Sequence, residues 1–255
     1  GDLILTADPA VTGNLPLVST GNGNVIIPTG GISQSAGLTI DAHDLFDTDS
    51  TVKITAANAT ITLRNNASAH TLISSLDSLS LALSGAGAFN LTDSDGLTLD
   101  AASSGGDVAI ATTNADLRLS GNTTVGGTLH LTTTGSGNLI VPAAGFAQSA
   151  GLNIRANNLL AANTGTPAAA KLGQFLLLAP SDNTITLAAT DADISLRNVT
   201  SPLQLATSFN NLSLALMGSG DFALTDSDAL TLGLVSAAGS ASFTTTNADL
   251  TLSTD

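Results

Sequence analysis

Cysteine, tryptophan, tyrosine and glutamate are absent from this 255-residue chain, and methionine occurs once, as Met217. Without cysteine there are no disulfides and no thiolate chemistry, a composition open to any compartment, the cell exterior included. All 20 acidic residues are Asp. Glu favours helix interiors whereas Asp bonds to nearby backbone and favours turns and caps, so this choice argues against helices. Seven Phe are the only aromatic residues, which leaves Leu, Ile, Val and Ala to build the core and suits narrow, regular layers. Six basic residues give no stripe able to neutralise phosphates, and the net charge of -14 speaks against nucleic acid and anionic membrane surfaces. Such a charge gives a soluble, mutually repelling surface. The longest apolar run, QFLLLAP at 174–180, falls far short of the roughly 20 residues that span a bilayer, so no membrane insertion is expected. The chain opens on the strand-like DLIL, closes on TLSTD and carries no basic-then-apolar leader pattern, as expected of a mature segment or an excised piece.

What the chain does have is repetition. LSLALSGAGAFNLTDSDGLTL at 79–99 returns 133 positions later as LSLALMGSGDFALTDSDALTL at 212–232, with 16 of 21 positions identical. TTNADLRLS at 112–120 returns at the same offset as TTNADLTLS at 245–253. Upstream the offset is 114, linking GNGNVIIP at 21–28 to GSGNLIVP at 135–142 and QSAGL at 34–38 to QSAGL at 148–152. The second copy therefore carries 133 minus 114, or 19, extra residues, entering near 160–183. A stack of coils takes in one whole coil without disturbing its neighbours, so a solenoid unit close to 19 residues is implied.

Short apolar-polar-apolar triplets recur along both copies, among them LTI 38–40, LSL 79–81, LTL 97–99, LRL 117–119, LHL 129–131, LSL 212–214 and LTL 250–252. This is the period of two expected of strands with one buried face. Turn residues separate them, as in TDSDG 92–96 and TGSGN 134–138, and Asn or Asp before Ala, in NADL 114–117, DADI 191–194 and NADL 247–250, suits corners. These features predict an all-β fold, a single-stranded parallel β-helix or β-solenoid with strands of three to five residues. About 12–13 coils of about 19–20 residues form a rod on the order of 60 Å long at the usual strand spacing. Residues 1–255 are then one continuous solenoid with copies at about 19–132 and 133–253 and an extra coil near 160–183.

Coils of this length, rich in Leu, Thr, Ser, Gly and Asn, with SGNTTVGGTLHLTT at 120–133 and TTNADLRLSG at 112–121, resemble the repeats of filamentous-haemagglutinin-like adhesins. These are exported by the two-partner secretion route of Gram-negative bacteria. The resemblance covers essentially the whole chain and implies a right-handed β-helix, secreted or on the bacterial cell surface, acting as stalk, adhesin or biofilm-matrix component. The family's secretion domain carries Asn-Pro signatures that this sequence lacks, which points to a central shaft region. The partners so implied are a host or neighbouring-cell receptor or glycan, or further copies associating end to end or laterally.

Candidate chemistry is sparse. Asp93/Asp95 and Asp226/Asp228 form DSD pairs kept in both copies, and two carboxylates at a turn offer hard oxygens to Ca²⁺. Neither EF-hand spacing nor a glycine-rich nonapeptide accompanies them, so they are read as carboxylates that satisfy corner backbone groups. His43, His70 and His130 match no zinc spacing and align with unlike residues in the duplicate, Asn157 for His43 and Leu203 for His70. β-Helix lyases and pectinases use clustered carboxylates beside a base. Here Lys53 and Lys171 stand outside the repeated acidic motifs, and the feature that would indicate catalysis is three Asp converging beside Arg64, Arg118, Arg155 or Arg197. Arg64 and Arg197, equivalent in LRN, are expected to neutralise Asp layers. GNGN 21–24 and SGAG 84–87 precede no helix, so they are not phosphate loops. Threonine-bearing triplets suggest an ice-binding face, but the outward positions mix Thr, Ser, Ala, Arg and Asn. No catalytic, cofactor or metal residue is assigned, no cofactor is expected, and the chain is read as a non-enzyme, with a carbohydrate-binding or polysaccharide-cleaving β-helix as the alternative.

Overall fold

The computed structural model describes residues 1–9, 11–47, 51–162 and 184–253. Among these residues every regular element is a strand and every strand pairing is parallel, giving a β-solenoid of about 11 turns. Parallel pairing is what the duplicated triplets require, since a coil that returns to the same place after each turn brings like strands into line. One ladder runs Val52, Leu72, Leu91, Ile110, Leu131, Ile154, Ile194, Leu214 and Val235, passing the repeat boundary near Thr133 without a break. Each of these but the terminal Val235 is buried, so the core is a stack of aliphatic layers. Removing such a side chain from water stabilises the fold by about 1.5–3 kcal/mol.

The described residues make about 11 turns, against the 12–13 expected of the whole chain, and the length of a turn varies along the stack. His70 pairs with Phe89, whereas Leu15 pairs with Leu38, a longer step along the chain for the same single turn. Across the second copy, strand Gly151–Ala156 pairs directly with Thr184–Leu196, Leu152 facing Ala192. The segment where the extra coil was expected, 163–183, lies outside the described residues, as do Lys171 and QFLLLAP at 174–180.

Strand length also departs from expectation. Val52–Leu63, His70–Leu83, Thr184–Leu196 and Leu203–Leu216 run 12 to 14 residues. Each turns a corner while staying extended, because its alternation slips once. Ala57 and Asn58, Asp77 and Ser78, Thr190 and Asp191, and Asn210 and Asn211 are successive residues outside the core. DADI at 191–194 is thus no turn, its first residue being half of such an outward pair. The NADL corners are turns of the expected kind: Asn114 and Asn247 both adopt φ 57°, a left-handed conformation that Asn tolerates better than most residues.

Candidate functional site

The alternation that buries Leu also walls in a column of polar residues. Ser74, Asp93, Thr112 and Thr133 face one another on successive turns, and Thr207, Asp226 and Thr245 repeat the column in the second copy. Asp93 is fully buried. The Ser74 hydroxyl and the Leu76 N–H donate to one of its carboxylate oxygens, the latter at 3.0 Å, and the Asp95 N–H donates to the other at 3.0 Å. Around Asp226 the Thr207 hydroxyl donates at 2.6 Å, the Phe209 N–H at 3.0 Å and the Asp228 N–H at 2.8 Å. Asp95 and Asp228 remain outside, accepting from Ser75 and Ser208. Each DSD pair therefore divides its labour, with one carboxylate inside bracing a corner and one at the surface.

Burial is the main force that pushes the Asp93 carboxyl up from 3.8 to about 6. The neighbouring Asp95 carboxyl adds to the rise, while the Ser74 hydroxyl and the Asp95 N–H oppose it. The column stays satisfied further along: the Thr112 hydroxyl donates to the Ala115 carbonyl at 2.7 Å, and Thr245 does the same to Ala248 at 2.7 Å. A buried polar network whose members all find partners fixes the register of a stack, because a slip by one residue would strand them.

His70 faces inward as well. Its Nε2 lies 2.8 Å from Asp44 Oδ1, both side chains almost wholly buried, though without the alignment of a hydrogen bond. Asp44 Oδ1 also accepts from the Leu45 N–H at 2.9 Å. No sequence signal marks this pair, because His70 and Asp44 are far apart along the chain and each has a different residue at its duplicate position, Leu203 and Asn158. His43 and His130 are half-buried. Among the described residues, no group of three or more His, Cys, Asp or Glu is placed to hold one ion.

The arginines differ from one another. Arg64 pairs with Asp41 and donates to the Ser19 carbonyl, a charge-neutralising role as expected. Arg197, its counterpart, donates instead to the Gly135 carbonyl at 3.1 Å. Arg155 reaches Asp193 at 3.7 Å on an open face. There the outward side chains of neighbouring turns form a polar ladder, Asn211 donating to Asp191 at 2.6 Å and Asn153 to Asp193 at 3.2 Å. These residues line a shallow, open depression of about 450 Å³. Of these two Asp, Asp193 is the one that reaches Arg155, whereas the arrangement that would indicate catalysis has three converging beside one arginine. In comparisons with known proteins, no family model, no curated protein and no solved structure matches the chain.

Proposed function

We propose that the chain is a structural shaft or adhesive segment of a secreted bacterial surface adhesin or matrix filament, which spaces a binding tip from the cell or joins neighbouring rods. One observation carries the reading: the duplication keeps the stacking positions, while several of its outward positions change. Leu79, Leu81, Leu97, Leu99 and Asp93 recur as Leu212, Leu214, Leu230, Leu232 and Asp226, all buried in both copies. Outside, Asn90 is replaced by Ala223, Asp100 by Gly233 and Arg118 by Thr251. Retention of the stacking set suits a part whose task is length and stiffness, and the net charge of -14 keeps such a rod from collapsing onto its neighbours. At about 4.8 Å per turn, 11 turns make a rod of about 50 Å. The partners of this reading are a host or neighbouring-cell receptor or glycan, met at the cell surface.

Small-angle scattering and a cell-binding assay test it together. An elongated profile with adhesion to cells or matrix supports the reading, and a compact profile ends it. The polar ladder of Asn153, Asp193, Asp191 and Asn211 favours a second reading, a carbohydrate-binding or carbohydrate-cleaving β-helix, since open rows of carboxylates and amides match sugar hydroxyls. Glycan-array binding or oligosaccharide turnover that Asp193→Ala and Asn211→Ala abolish would favour it over an inert shaft.

A further inference from the structure

The depression on the second copy has an internal control, because the first copy carries the same four turns in the same register. In the second copy Gly151, Asp191, Asn211 and Thr231 form one outward row, and Asn153, Asp193 and Ser213 form the row beside it. The first copy pairs the corresponding residues identically, from Gly37 and Thr39 through Asn58 and Thr60 to Ser78 and Ser80. Between the two rows the inward residue never changes: Leu38, Ala59, Leu79 and Leu99 recur as Leu152, Ala192, Leu212 and Leu232, all buried. Outside, the hydroxyls of Thr39, Thr60 and Ser78 give way to the planar groups of Asn153, Asp193 and Asn211, and the Asn58 amide gives way to the Asp191 carboxylate.

The fourth turn changes in the other direction, by removal. Asp100 accepts from the Ser120 hydroxyl at 2.7 Å, and its counterpart is Gly233. The backbone at Gly233 is not left-handed, so the chain path does not call for glycine there. A Cβ would stand 3.1 Å from Ser213 Oγ, so a side chain at 233 would enter the depression that both residues line. Beside it Ala101 becomes Leu234, which is 70% exposed. That exposure belongs to the position rather than to the last turns of the stack, since Ala101 is also exposed while its strand is paired on both sides.

The second copy has thus gained planar donors and acceptors, an emptied place and an apolar edge on one face. Carboxylates accept from pairs of hydroxyls, amides both donate and accept, and Leu234 offers a dry surface to ring C–H groups. Asn211 donates to Asp191 at 2.6 Å and Asn153 to Asp193 at 3.2 Å, which holds both carboxylates in place before any ligand arrives and reduces the ordering that binding would cost. Two carboxylates on a chain of net charge -14 repel anions. The rows run along the stack, so their groups recur at about 4.8 Å, and an extended β-linked hexose chain advances by nearly that distance per ring.

We infer that this groove holds a neutral, extended hexose polymer along the rod axis, one ring to a turn over the four turns. The inference rests on the carbohydrate-binding reading above and adds the ligand's class, its direction and the residues that distinguish this face from its duplicate.

Calorimetric titration of the 1–255 chain with cellohexaose and mannohexaose tests it, with polygalacturonate as the anionic counterpart. Both hexaoses should bind and polygalacturonate should not, and affinity should grow with chain length to about four rings and then level off. The decisive variants restore residues that the first copy already carries at the same register. Gly233→Asp fills the groove and abolishes binding, Asp193→Thr weakens it about 10- to 100-fold by removing a charged acceptor, and Leu234→Ala weakens it without touching a polar group. Circular dichroism checks each fold, and should Gly233→Asp unfold, Asp193→Thr and Leu234→Ala decide alone. Hexaose binding that survives all three variants overturns the inference and leaves the carbohydrate-binding reading standing elsewhere on the rod. Equal binding of polygalacturonate, or release of shorter oligosaccharides, also overturns it. Absence of any glycan binding removes both, while the shaft reading, which is tested by shape, is unaffected.

Discussion

The hydroxyl of Ser74 donates to the carboxylate of Asp93 from one turn below, inside a wall closed to water. In the second copy Thr207 and Asp226 hold the same relationship at 2.6 Å. Because burial raises the Asp93 carboxyl to about 6 from 3.8, the folded chain holds this proton more tightly than the unfolded chain. Between those two values the native state binds more protons, so stability falls as pH rises. The contribution is fully present below 3.8 and is lost as pH passes about 6. Two pH units correspond to at most about 3 kcal/mol. Urea melts of the wild type and Asp93→Asn across this range measure it: the difference between their stabilities should change with pH inside the window and level off above it. A flat difference would mean that Asp93 titrates normally.

The His70–Asp44 pair gives a second prediction. Removing one partner of a buried polar pair leaves the other without compensation, and such changes cost about 1–3 kcal/mol. His70→Leu, the residue at the duplicate position, should be destabilising on that scale while Asp44 remains. Adding Asp44→Asn, again the duplicate's residue, should recover most of the loss, so the double variant is more stable than His70→Leu. Additive penalties in the double-mutant cycle would show that the two side chains do not interact.

The parallel stack was legible in the sequence because period-two alternation and a fixed repeat offset are direct imprints of strands lying on like strands. Leu99 over Leu79 and Leu232 over Leu212 follow from the repeat itself. Corners that use a left-handed residue were legible too, at Asn114 and Asn247. Corners made by two outward residues in an unbroken strand, such as Asn210–Asn211, leave no Gly or Pro to mark them, so long strands were read as short ones. The polar column was half visible. The DSD motifs stood out, but Ser74 and Thr207 are ordinary residues until the register brings them under Asp93 and Asp226. His70 and Asp44 meet only in three dimensions, and no periodicity links them.

Asn114 permits a third test. Its φ of 57° costs an ordinary L-residue roughly 1–2 kcal/mol, whereas glycine adopts it freely. Asn114→Ala should lower the unfolding free energy by about 1 kcal/mol, with Asn114→Gly close to wild type. The Gly135 corner one turn above is tighter, with φ 55°, and a Cβ there would stand 2.0 Å from the Asn114 Oδ1. Gly135→Ala should therefore cost more than Asn114→Ala, and thermal melts that rank them in the opposite order would place the strain elsewhere.

Leu97 tests how the stack shares its stability. It is 2% exposed and pairs with Leu117 on the next turn, so Leu97→Ala should cost about 2–5 kcal/mol and Leu97→Asp more, since the latter also buries a charge. A solenoid turn touches only its neighbours, so the damage should be local before it is global. Hydrogen exchange of Leu97→Asp is expected to show lost protection in the strands of adjoining turns, His70–Leu83, Phe89–Asp93, Val108–Thr112 and Leu117–Leu119. Strand Leu203–Leu216, several turns away, should keep its protection. If Leu97→Asp retains the wild-type melting temperature and exchange pattern, the LTL triplet does not carry the core. If all protection vanishes together, the rod unfolds as one unit, and coupling between turns is stronger than nearest-neighbour stacking provides.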